Sequence, residues 1–492
     1  MDFSILSWIV FTPLIGTILI LFVPREMEKS IKGIALIFSF ISLVLALVVY
    51  ANFDHTIAKM QFVERVPWIL TFNINYYLGI DGLNLSIFLL TTFLTFLSIV
   101  ISCHLKERVK EYFVLFLILE TGMLGVFVAL DLFLFYVFWE VVLVPMYFLI
   151  GVWGGSRRKY AAIKFVLYTV IGSLMMLVGI LWVYWTASPH TFDIVELSKS
   201  CQFTKEFQCL MFFFFFLGFA VKVPICPFHT WLPDAHVEAP TAASVILAGV
   251  LLKMGVYGFL RVSLPMFPEA AIYFSYPLAV LGVINIIYGA CTAMAQSDLK
   301  KMIAYSSISH MGFCLISMSA LTVTGINGAV IQMFTHGAIT GSLFMLVGVV
   351  YDRAHTREID KFGGLWHQMP IYTGLMSLSV LASLGLPGLA GFIGEFVCLM
   401  GAFISKLAGF KLLTMLSVSG VVITAVYLLW MMERVFWRGL NPKWEHLSDI
   451  NKRELIATVP IAALIILIGI YPRLLVDLMN VTVIQMVSGI MP

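Results

Sequence analysis

Apolar runs of about twenty residues, each interrupted by a single charge, constrain this chain more than any other feature. The run "DLFLFYVFWEVVLVPMYFLIGVWG" carries Glu140 near its middle, and three other runs carry Lys222, Lys253 and Glu395 in the same way. A water-soluble fold turns such charges toward solvent; a membrane helix has no solvent to offer. One charge at the bilayer centre costs roughly 2.5–3.5 kcal/mol on insertion scales, so a chain that keeps several has a use for them. Only 12% of the 492 residues are charged and 61% are hydrophobic, where globular domains carry about 25% charged residues. Lipid is the solvent here, and the expected class is an all-α polytopic membrane protein.

A crossing needs about 20 apolar residues. The hydropathy pattern predicts fourteen spans: 4–23, 33–52, 82–104, 112–130, 132–152, 161–186, 208–230, 241–263, 272–295, 302–322, 325–351, 370–405, 410–437 and 454–487. Asp2 and the lack of a basic leader mark the first run as an uncleaved span. With the N-terminus outside, the inner loops hold Arg25, Lys29, Lys32, Lys106, Arg108 and Lys110, then Arg157, Arg158, Lys159, Lys300 and Lys301. They continue with Arg353, Arg357, Lys361, Arg438, Lys443, Lys452 and Arg453. The outer loops hold Lys59, Arg65, Lys199, Lys205, Lys406 and Lys411, an asymmetry of roughly three to one. Both termini are then expected outside.

Two spans are interrupted. The seventh reads "LGFAVKVPICPFHTWLP", with Pro224, Pro227 and Pro233, and the twelfth reads "SLGLPGLAGFIGEF", with Pro387 and four glycines. Proline removes a donor and clashes with the preceding turn. Irregular backbone at membrane depth survives only inside protein or beside a wet cavity. Interrupted helices at corresponding places in two halves point to inverted repeats around a transport site. The expected organisation is three N-terminal spans in 1–110, a first five-helix repeat in 111–263, a second and inverted one in 264–437, and a C-terminal helix in 438–492.

The buried ionisable residues suit proton movement. Glu140 and Lys222 form the strongest candidate pair, a carboxylate that tunes a lysine beside a helix break; the bland reading is a static ion pair. Lys253 lies too deep in its run to snorkel, and Glu395 follows the second break, where a terminal proton residue is wanted. His310 and His336 fall between them in chain order and titrate near neutrality; lone buried histidines are more often simply hydrogen-bonded. Reading the two histidines as axial haem ligands finds no second pair to support it. Glu120 and Lys164 are weaker candidates. His229, Asp234, His236 and Glu238 read as a solvated loop, with an entrance vestibule as the alternative. No C-x-x-C, G-x-G-x-x-G or P-loop pattern is present, so no iron–sulfur, dinucleotide or ATP site is expected.

The stretch "FAVKVPICPFHTWLPDAHVEAPTAASVILAGVLLKMGVYGFLR", with "FWEVVLVPMYFLIGVWG" and "DLKKMIAYSSISHMGF", resembles the antiporter-like membrane subunits of respiratory complex I, over about residues 70–480. The resemblance implies fourteen helices with two inverted repeats and a role in proton translocation coupled to redox chemistry elsewhere. It implies that Glu140 and Lys222 are the coupling pair, Lys253 the central lysine, His310 and His336 relays, and Glu395 the terminal residue. Sister subunits of the L and N types usually have lysine there, so a glutamate sets this chain apart from them. It implies no cofactor in this chain, with FMN and iron–sulfur clusters in partner subunits. Its partners would be the other complex I membrane subunits, the L and N sisters above all, and lipid, with no nucleic acid. The location implied is an energy-coupling inner membrane, bacterial or mitochondrial, with both termini on the positive side. Mrp-type sodium/proton antiporter subunits share the pattern and are the alternative. A scaffold whose charges only pair is a third reading.

Overall fold

The twelfth predicted span is two half-helices, and its break is where the chain's interior becomes chemically useful. The computed structural model describes residues 4–199 and 203–491. Helices α1 (Ile5–Phe22) and α2 (Glu28–Ala51) lead to α3 (Leu85–Ser102), α4 (Val109–Val128), α5 (Leu132–Trp153) and α6 (Arg158–Thr186). Then α7 (Lys205–Lys222) ends at a break, and the short α8 (Trp231–Glu238) follows it. Next come α9 (Thr241–Met266), α10 (Pro268–Met294), α11 (Leu299–Ser319) and α12 (Val323–Ala354). The second broken span is α13 (Pro370–Ser383) and α14 (Ala390–Phe403), and α15 (Phe410–Trp437) and α16 (Lys452–Ile470) follow. Among the described residues, twelve helices are long and apolar enough to cross a membrane. The two broken spans and the serine-rich α11 fall outside that set.

One expected span is corrected. The stretch 454–487 is not a single crossing but α16 followed by α17 (Arg473–Ile490). Pro472 lies at the junction, and a run of that length exceeds what one bilayer crossing needs. Helix α17 packs against the ends of other helices. Asn327, in the first turns of α12, donates to Asn480 at 2.9 Å, and the backbone N–H of Gly82 donates to Thr482 at 3.2 Å. The approach is close enough that a Cβ at Gly82 would sit 2.3 Å from the Leu478 carbonyl oxygen.

A second departure is a β-hairpin in the loop between α2 and α3. Strand β1 (Gln61–Ile69) pairs antiparallel with β2 (Ile74–Ile80), from Gln61 opposite Ile80 to Ile69 opposite Ile74. Its β-branched and aromatic residues suit a half-buried pleated surface: β2 is buried and β1 mostly faces outward.

The loop charges segregate. Residues assigned to the inner face meet one another: Arg353 with Glu454 at 2.8 Å, Arg357 with Asp298 at 3.2 Å, Arg434 with Asp360 at 3.0 Å. Residues assigned to the outer face do likewise, as Arg65 does with Asp193 at 3.1 Å. No ion pair among the described residues joins the two sets. At the centre, α9 and α12 are buried along their most apolar windows. They approach through glycine: a Cβ at Gly337 would lie 2.7 Å from the Gly249 carbonyl oxygen, so only hydrogen fits at this crossing.

Candidate functional site

The centre of the site is Lys253 on α9. That helix is not uniformly α: π-helical turns at Leu247–Leu251 and Phe259–Ser263 flank the segment that carries the lysine. A π turn leaves carbonyls unpaired with the usual amide, and such turns are common at functional sites. Lys253 Nζ donates to the Ala248 carbonyl, in the first of these turns. It also lies 2.8 Å from Nδ1 of His336 on α12. With Nδ1 accepting from the ammonium, the histidine's proton is on Nε2, and Nε2 has no hydrogen-bond partner.

His336 and His310 face each other, with ring centroids 5.4 Å apart. Beside them is a small cavity lined by both rings, Gln332, Thr335, Ser383 and Glu395. It offers about 10 Å³ to the centre of a water molecule, close to the room that one water needs. His310 Nδ1 lies 2.9 Å from Glu395 Oε1, and its Nε2 lies 3.3 Å from the Ser383 hydroxyl. Glu395 is on α14 just past the break, and Ser383 is the last residue of α13. The break allows this convergence. Gly385 has φ +78°, and a Cβ there would come 3.0 Å from Glu395 Oε2. Lys253, His336, His310 and Glu395 thus form one buried line with a water-sized gap at its centre.

Glu140 and Lys222 are arranged differently. Lys222 ends α7, where the helix dipole favours a cation. Its Nζ is buried without a hydrogen-bond partner, 5.5 Å from the centroid of the Trp139 ring and 5.6 Å from that of Phe165. Glu140 is half-buried, and its Oε1 is enclosed without a partner. The two form no ion pair. No hydrogen bond joins Lys222 to Lys253. The break after Lys222 is held by Asn285 on α10, which accepts from the Cys226 amide at 2.8 Å and donates to the Pro224 carbonyl at 3.1 Å. Trp231 donates to the freed Val221 carbonyl at 2.9 Å. Asn285 escapes a sequence reading because an isolated Asn in an apolar run does not reveal which backbone it will serve.

The solvated-loop reading of 229–238 is overturned. His236 has no exposed surface, and His229 and Glu238 are also buried. The His236 ring stacks on Phe344 of α12, centroids 4.5 Å apart and 3° from parallel, with neither nitrogen hydrogen-bonded. Lys164 pairs with Asp234 at 2.8 Å. Near His236, among the loops rich in lysine and arginine, is a cavity of about 390 Å³ whose lining includes Lys300, Glu238, Asp352 and Arg357. Lys300 Nζ donates to the Ala239 carbonyl at 2.5 Å. Glu120 is fully buried in α4, and neither oxygen has a partner. Toward the C-terminal end of α9, Arg261 makes a two-pronged pair with Asp81, at 2.5 and 2.8 Å, which anchors the second π turn of that helix. This pair escapes a reading of the buried glutamates and lysines alone; Arg261 inside an apolar run is the signal that marks it.

The family described as "NADH:quinone oxidoreductase/Mrp antiporter, TM" matches residues 129–424. The chain is 44% identical to NADH-quinone oxidoreductase subunit M of Rhodobacter capsulatus, over 99% of this chain and 97% of that protein. It is 43% identical to NADH-ubiquinone oxidoreductase chain 4 of Marchantia polymorpha, with the same coverages. Its structure superposes on a chain of respiratory complex I from Thermus thermophilus with a TM-score of 0.91 and 28% identity, each chain covered completely. With the family match spanning more than half of the chain and the relatives running nearly its full length, the chain belongs to the NADH:quinone oxidoreductase/Mrp antiporter membrane family.

Proposed function

We propose that the chain is a proton-translocating membrane subunit of an NADH:quinone oxidoreductase, and that its buried ionisable residues carry the protons. The observation that bears this reading is the Lys253–His336–His310–Glu395 line, where each neighbour is hydrogen-bonded or separated by the space of one water. The full-length relatives bear the oxidoreductase name rather than the Mrp name, which favours this function over the antiporter alternative. NADH oxidation, FMN, iron–sulfur clusters and quinone belong to partner subunits, including L- and N-type sisters. The chain's own contribution is proton transfer.

A proton leaves Lys253 Nζ for His336 Nδ1, while the Nε2 proton passes through the cavity water to His310 and on to Glu395. The break beside Glu395 then provides release toward the outer face. Reloading of Lys253 starts from the inner cavity at Lys300 and Glu238, and His236 is a titratable ring between that cavity and the lysine. Glu140 and Lys222 form the control element. Their separation is a state in which the carboxylate does not hold the lysine's charge, and closing the pair favours charged Lys222. Charge displaced in a neighbouring subunit would drive that closure. The two halves, 111–263 and 264–437, act as inverted repeats about this line, with both termini on the positive side of an energy-coupling inner membrane.

Lys253→Arg tests the proposal. Arginine keeps the charge but hardly deprotonates, so NADH-driven proton pumping should stall in membranes where the complex assembles. Full pumping in that variant would make Lys253 a fixed charge and remove the relay.

A further inference from the structure

On the face rich in lysine and arginine, a groove of about 510 Å³ runs between α1, α4 and the end of α5. Its walls are apolar and include Leu21, Val114, Phe148 and Trp153; its mouth carries Arg25, Arg108 and Lys110 with a single acid, Glu111. The cations are not equally occupied. Lys110 Nζ donates to the Leu21 and Val23 carbonyls at the end of α1, each at 2.8 Å. Arg25 pairs with Glu111 at 2.6 Å yet stays 75% exposed. The Arg108 guanidinium has no hydrogen-bond or ion-pair partner among the described residues. The Trp153 indole donates to the Glu107 carbonyl at 2.9 Å. An indole with one apolar and one polar end sits at the membrane–water boundary, which puts the mouth of the groove at headgroup depth.

We propose that this groove binds an anionic phospholipid, with acyl chain against the apolar walls and the phosphodiester on Arg108 and Arg25. The volume lies in the range of ligand pockets, and guanidinium groups match phosphate oxygens in pairs. One acid against three cations leaves an excess of positive charge at the mouth. A zwitterionic lipid fills the same walls but brings its own cation to that charge, and a soluble phosphate makes no use of the walls. Basic pockets between helices at the inner leaflet are suited to anionic headgroups. The inference does not depend on the proton pathway.

The test is photocrosslinking of the intact, detergent-purified complex with photoreactive phosphatidylglycerol or phosphatidylcholine, mapped by peptide mass spectrometry. Phosphatidylglycerol should label residues 108–115 and 148–153 about fivefold more than phosphatidylcholine, the preference that one cation near an anionic surface gives. Arg25→Gln with Arg108→Gln should lower labelling to the phosphatidylcholine level, and Lys443→Gln, elsewhere on the same face, should leave it unchanged. Excess glycerol phosphate should not compete. Equal labelling of the wild-type groove by the two lipids would overturn the proposal even if the double variant fails to assemble. So would full competition by glycerol phosphate, which would mark a site for a soluble anion.

Discussion

The surroundings of Lys222 and of Lys253 differ in the number of partners each amine has. Lys253 touches a carbonyl and a histidine, and through that histidine approaches another histidine and a carboxylate. Lys222 touches aromatic faces only, and Glu140 stands apart from it. Both lysines sit on helices that depart from regular α geometry, one at a break and one between π turns. The contrast teaches that burying a charge and wiring it are separate tasks. Around Lys253 the polypeptide has already placed the next group. Around Lys222 it has kept the next group away, which suits the proposed control element.

Substitutions can break or sharpen that contrast. Lys253→Ala removes the hub of the wired region, and NADH-driven proton uptake should fall on the order of 10²-fold, as when a positioned proton-transfer group is lost. Glu395→Gln keeps the shape of the far end but not its proton chemistry, and pumping should fall about tenfold. Normal pumping there would mean that the wire does not end at this carboxylate. Glu140→Gln should cost less, roughly fivefold, and should act on the coupling of pumping to NADH oxidation; equal losses in both rates would identify assembly instead. For every variant, the assembled complex must first be quantified on native gels, because deleting one partner of a buried pair can cost about 3–5 kcal/mol. Ser383→Ala removes a single long hydrogen bond to His310, with an expected effect of about threefold or less, the worth of one such bond. A larger loss would show that the hydroxyl organises the cavity water.

Much of this was legible in the chain, for physical reasons. Glu140, Lys222, Lys253 and Glu395 stand out because lipid tolerates no idle charge, and the two broken spans because proline and glycine interrupt hydrogen bonding. What was not legible depends on packing. Nothing in "QFVERVPWILTFNINYYLGI" distinguishes a hairpin from an ordinary loop between spans until α1, α4 and α5 cover one of its faces. The stretch 454–487 is mostly apolar, with Arg473 and Asp477 in its second half, and only the fold shows that this half packs against helix ends. His236 reads as a loop residue because chain order cannot show Phe344 stacked against it. The approach of His310 to Glu395 joins α11 to α14 and required the break to be folded.

The tight crossing at Gly249 and Gly337 has an electrical consequence. Where two backbones meet with only hydrogen between them, no water column passes through that crossing. A membrane voltage falls across insulating regions, so part of the drop falls over this packed crossing beside Lys253. Each elementary charge carried fully across 100 mV does work of about 2.3 kcal/mol. A proton on the proposed route that moves past this crossing, toward or away from Lys253, would do part of that work over a few ångströms, and the rate of that step should depend on the proton-motive force.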